Sequence, residues 1–123
     1  MRVMIVDDDK EFLEELKETL ALSGYEVVEA SDSNEAAGIA TKTKPDIVVM
    51  DLKMPNKSGF QLADEFKHSD QLHNIPLIAM SAFFKEELFP LMKSCGILKC
   101  IKKPFNPLDI IAQIENVLKE KEE

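Results

Sequence analysis

Tryptophan is absent from the 123 residues, tyrosine occurs once and cysteine twice. Two thiols, Cys95 and Cys100, are too few for a disulfide framework, and no histidine adjoins them to complete a zinc set. Reduced cysteines in structural roles are expected. No apolar run approaches the roughly 20 residues that a membrane helix requires, so no membrane insertion is expected. Positive charge is scarce too: 15 basic against 23 acidic side chains leave a net charge of −8, which repels nucleic acid unless a local patch overcomes it. The only basic cluster, Lys99, Lys102 and Lys103, is short and falls on an expected strand and its exit, so direct nucleic-acid binding is disfavoured. The first residues, Met1-Arg2-Val3-Met4-Ile5-Val6-Asp7, lack the long apolar core and cleavage site of a secretory signal, and a cytoplasmic location is expected.

What remains is ordinary globular composition, 45% hydrophobic and 31% charged, in a chain long enough to bury a core. One domain over residues 1–123 is expected, ending in a charged tail at 119–123. Short apolar runs at 3–6, 27–29, 47–50, 77–80 and 98–101 alternate with longer amphipathic stretches. Most are nearly continuous in apolar character, as strands covered on both faces require, which predicts a parallel sheet. Between them, Phe12, Leu13, Leu16 and Leu20 share one face of a first helix that Gly24 can end in the left-handed conformation. Asp32, with Glu35 three positions on, can cap a second helix, and Asn106-Pro107 opens a last one that buries Ile110, Ile111, Ile114, Val117 and Leu118. Met4, Met50, Met54, Met80 and Met92 lie on or beside these elements and read as core filling. Strand–helix alternation with right-handed crossovers gives a three-layer α/β sandwich, whose ligands sit at the carboxyl ends of the strands.

Those ends carry a consistent chemistry. Asp7, Asp8 and Asp9 follow the first strand and Asp51 the third, so carboxylates from two strands can converge on one crevice. Three consecutive aspartates alone read more readily as a solvated turn. Gathered carboxylates either raise their pKa values or recruit a hard cation such as magnesium. Ser81 after the fourth strand adds a hydroxyl, and Lys102-Lys103-Pro104-Phe105 after the fifth adds an ammonium group.

Through Ile5-Val6-Asp7-Asp8, the run from Asp46 to Pro55 centred on Met50-Asp51, Ser81-Ala82 and Lys103-Pro104-Phe105, the chain resembles the receiver domains of response regulators over nearly its whole length. The resemblance implies the flavodoxin-like strand order 2-1-3-4-5 with five helices, and a cis peptide between Lys103 and Pro104. It also implies that Asp51 accepts a phosphoryl group from a histidine kinase or a histidine phosphotransfer protein. Asp8, Asp51 and the Lys53 carbonyl would hold Mg2+, Asp7 would orient a metal-bound water, and Ser81 and Lys103 would contact phosphoryl oxygens. Asp9 has no role in this scheme. Such a domain catalyses only its own phosphorylation and dephosphorylation, and signals when Ser81 moves and repacks the surface of the fourth helix and fifth strand.

Three positions bear on how that scheme would run here. Cys100 stands where many relatives carry a mobile aromatic, and Pro90 falls in the middle of the expected fourth helix, which predicts a kinked or shortened helix. Phe83 can shield the phosphoryl group, alongside Lys53, or simply pack on its neighbours. An aspartate-dependent phosphatase would need a second carboxylate two residues after Asp51, where Lys53 stands. A flavodoxin would need backbone donors and a Gly- or hydroxyl-rich loop where the aspartates lie. His68 and His73 read as ordinary loop histidines rather than phosphotransfer groups. Neither the cognate kinase nor the downstream target is named by these residues, and a stand-alone regulator and a module of a longer protein stay equally open.

Overall fold

The computed structural model describes residues 1–83 and 85–122; the last residue of the expected tail, Glu123, lies outside them. Five parallel strands form the sheet: β1 (Arg2–Val6), β2 (Glu26–Ala30), β3 (Ile47–Asp51), β4 (Leu77–Ser81) and β5 (Ile97–Lys102). Their order is β2-β1-β3-β4-β5, as the resemblance implied. Helices α1 (Lys10–Leu22), α2 (Ser33–Thr43), α3 (Gly59–Lys67), α4 (Phe89–Ser94) and α5 (Pro107–Glu122) connect and flank the strands.

Alternation along each strand sends side chains to opposite faces and so divides the core in two. Val3, Ile5, Ile47, Val49, Ile78 and Met80 pack with Leu13, Leu16 and Leu20 of α1 and Ile110, Ile114 and Val117 of α5. Met4, Val6, Val48, Met50 and Ala79 pack against Leu62 and Phe66 of α3, Ala36 and Ala40 of α2, and Met92 of α4. Four of the five methionines read as core are buried, and Met54 packs partly buried against the core.

Helix ends follow local chemistry. Gly24 ends α1 at φ 94°, and its N–H donates to Ala21. Asp32 caps α2 by accepting from the Asn34 N–H, and Asn106 accepts from the Leu108 N–H at the start of α5. The reciprocal capping box, expected at Asp32 and Glu35, sits instead at Ser58 and Gln61 of α3. A second correction concerns Pro90, which lies in the first turn of α4 and not in its middle. The residues before it form only a 3-10 turn, Glu86–Leu88, and the α-helix is cut to six residues. Proline fixes φ and lacks an N–H, so it is tolerated where a helix begins. The charged tail continues α5 through residue 122, and Lys121 donates to the Asn74 carbonyl.

Candidate functional site

Asp7 follows β1 directly and is 1% exposed. Its Oδ1 accepts from the Asp9 N–H at 3.0 Å and its Oδ2 from Lys103 Nζ at 2.6 Å. Asp8 faces solvent, and Asp9, unassigned from sequence, caps α1 by accepting from the Phe12 N–H at 3.1 Å. Asp51 is the last residue of β3 and is buried. Carboxylate oxygens of Asp7, Asp8 and Asp51 come within 4.8 Å of one another. Sequence reasoning placed these three together, and the structure does the same.

Ser81 ends β4, and its backbone carbonyl accepts from the Lys103 N–H at 2.8 Å, which joins the ends of β4 and β5. The Ser81 hydroxyl oxygen accepts from the Phe83 N–H at 3.0 Å, so the side chain is held within its own loop. Lys103 precedes a cis peptide to Pro104, as the resemblance implied. Its ammonium lies 3.7 Å from Asp51 Oδ2, farther than from Asp7. Burial pushes the Asp51 carboxyl above its ordinary range; Lys103 and the Lys53 N–H oppose that rise, while Asp7 and Asp8 add to it. Lys103 thus offsets only part of the charge of three converging carboxylates, and an oxygen-only donor set of this kind fits a hard divalent cation.

Lys53 and Phe83 meet over this end of the sheet, the Lys53 ammonium 4.7 Å from the ring centroid. Lys99 and Lys102 stay exposed on β5, so Lys103 alone of that cluster turns to the carboxylates. Cys95 and Cys100 are both free thiols, Cys95 buried and Cys100 partly so. His68 and His73 are exposed between α3 and β4, toward the amino ends of the strands and away from the acidic crevice, and each ring bonds the carbonyl four residues back.

Two contributors went unread in the sequence. Ser33, buried at the start of α2, donates to the Pro55 carbonyl at 2.9 Å and accepts from the Lys57 N–H at 3.0 Å, fastening the loop that follows Asp51. Gly59 lets α3 touch that loop: a Cβ there would lie 2.6 Å from the Asp51 carbonyl oxygen and 2.7 Å from Leu52 Cα. A glycine after a capping serine was the available signal for the second; nothing local announced the first.

Among known proteins, the family model described as "Response regulator receiver domain" matches residues 3–115. The chain is 36% identical over 115 residues to the transcriptional regulatory protein PdtaR of Mycobacterium tuberculosis, covering 93% of this chain and 55% of that protein. It is 30% identical to the polar-differentiation response regulator DivK of Brucella anthropi, covering 94% of each. It thus spans about half the length of several curated relatives it matches, and nearly all of DivK. The solved structure of chemotaxis protein CheY4 of Vibrio cholerae superposes with a TM-score of 0.90 at 28% identity, covering 94% of this chain and 97% of that one. No helix among the described residues is long and apolar enough to cross a membrane. With strand order, acidic crevice and a family match over most of its length in agreement, the chain belongs to the response regulator receiver domains of two-component systems.

Proposed function

We propose that Asp51 is the phosphoacceptor. The supporting observation is its burial at the end of β3 beside two further carboxylates, with the Lys103 ammonium 3.7 Å away. In the reaction, an Asp51 carboxylate oxygen forms a bond to phosphorus as the N–P bond of a partner phosphohistidine breaks, and the electron pair returns to the imidazole. A histidine kinase or a histidine phosphotransfer protein is the donor. Lys103 neutralises charge on the phosphoryl oxygens, and Ser81 exchanges its loop hydrogen bond for one to the phosphoryl group. Asp8, Asp51 and the Lys53 carbonyl are the residues to hold Mg2+, with Asp7 orienting one of its waters. When bound, Mg2+ would supply positive charge that offsets the carboxylates and the charge on the phosphoryl oxygens.

The movement of Ser81 pulls on the loop that leads to the short α4 and so alters the face formed by α4 and β5, the expected output surface. Residues 1–123 act as one cytoplasmic receiver unit in this reading, either alone or as a module of a longer regulator. A phosphatase reading gains nothing here, because the position two residues after Asp51 carries Lys53, whose ammonium rests on Phe83. Intact-mass spectrometry after incubation with acetyl phosphate tests the proposal. A magnesium-dependent gain of one phosphoryl group in the wild type, and none in Asp51→Asn, is the expected result; equal gain in both overturns the assignment.

A further inference from the structure

Phe12 takes no part in the reaction as described, yet it touches the group that does. It stands in the first turn of α1, where its N–H is fixed by Asp9, and it packs partly buried against the α1–α5 core. The Lys103 ammonium lies 4.2 Å from the centroid of its ring. The same nitrogen is 2.6 Å from Asp7 Oδ2, so carboxylate and aromatic face hold it together. Phe105 meets Phe12 edge-on, with centroids 5.9 Å apart and planes at 85°, an arrangement that fixes the ring. Phe105 also follows the Lys103–Pro104 peptide, so clamp and cation belong to one turn.

An aromatic face attracts a cation through its quadrupole, and the attraction grows as water is removed. Only 19% of the Lys103 side chain is exposed. A lysine chain has many rotamers, and a positively charged group aimed at developing charge acts best when it needs no reorganisation. An aliphatic side chain at position 12 would fill the same core space without offering a quadrupole.

We propose that Phe12 is a positioning residue for phosphoryl transfer: its ring, clamped by Phe105, holds the Lys103 ammonium at the acidic crevice where phosphoryl oxygens are to arrive. This rests on the assignment of Lys103 to the reaction, and the test separates the two. Phe12→Leu, Phe12→Tyr and Lys103→Ala are compared with the wild type. By NMR, the Lys103 ε-methylene protons, identified by their loss in Lys103→Ala, are expected upfield of ordinary lysine values through the ring current of Phe12. That shift disappears in Phe12→Leu and persists in Phe12→Tyr. Magnesium-dependent phosphorylation by acetyl phosphate is expected to slow roughly three- to ten-fold in Phe12→Leu, equivalent to about 0.7–1.4 kcal/mol, and to recover within about twofold in Phe12→Tyr. Ordinary ε-proton shifts in the wild type overturn the proposal without reference to any variant. So does a Leu variant as fast as the wild type while Lys103→Ala is slow. If Lys103→Ala is itself as fast as the wild type, the reading of Lys103 fails, and the positioning role falls with it.

Discussion

Ionising Asp51 costs the fold stability. Burial, Asp7 and Asp8 raise its carboxyl above the ordinary value of 3.8, and Lys103 only partly compensates. The folded state therefore binds the Asp51 proton more tightly than the unfolded chain does. The resulting contribution to stability is fully present below the ordinary value and is lost as pH rises through the raised one. Asp51→Asn, which carries no charge at any pH, is expected to melt higher than the wild type at pH 7 in metal-free buffer. About 1 kcal/mol, or roughly 4 °C, is the scale for relieving such a site. The gain should shrink as pH falls toward 4, and a constant gain across thermal melts from about pH 3.5 to 7 would assign it to packing instead. Phe83 makes a second test. Phe83 is 61% exposed but its ring carries the Lys53 ammonium, so the pair bridges the two loops that leave β3 and β4. Phe83→Ala removes that bridge and is expected to speed decay of the Asp51 phosphoryl group roughly two- to five-fold, the rate equivalent of an exposed cation–π contact. Decay followed by intact mass and found unchanged would leave Phe83 no shielding role.

The loop between β3 and α3 is held from two sides, by Ser33 of α2 and by the bare backbone of Gly59. A methyl group at Gly59 meets backbone atoms of Asp51 and Leu52, which cannot swing aside as a flexible side chain would. Gly59→Ala is thus expected to destabilise the fold by about 1–3 kcal/mol, read as a lower urea midpoint. Because the displaced atoms belong to Asp51 and its neighbour, phosphorylation should slow even where the variant is fully folded. Which elements could be read from sequence follows the same physics. Strands β1, β3 and β4 announced themselves because both faces are covered and each carries four successive apolar residues; caps such as Asp32 and Asn106 act within two residues of themselves. Ser33 could not be read that way, since its partners lie 22 and 24 positions on and only the folded chain brings them near. Phe12 was legible as a core-facing position of α1, but its contact with Lys103 depends on β5 returning beside β4. Pro90 signalled a disturbed helix correctly, yet not its place: once the helix could not run through, it began one residue before the proline.

The acidic crevice, and not the overall net charge of −8, should govern the response to divalent cations. General screening of excess negative charge would stabilise the fold with any salt, in proportion to ionic strength. A site built from Asp7, Asp8 and Asp51 responds instead by mass action, because the converging oxygens exist only in the folded state. At a hundredfold excess over its dissociation constant, Mg2+ is expected to add about 2.7 kcal/mol, a rise in melting temperature of roughly 5–15 °C. NaCl at matched ionic strength should add far less. Asp8→Asn is the discriminating variant, because Asp8 is exposed, whereas changing Asp7 would also deprive Lys103 of its nearest partner. In Asp8→Asn the magnesium-dependent rise should fall to the sodium value while the metal-free melt stays within a few degrees of the wild type, as expected for an exposed substitution. A variant that keeps the full magnesium response would move the cation away from the ends of β1 and β3. Equal stabilisation by magnesium and matched sodium in the wild type would reduce the effect to screening.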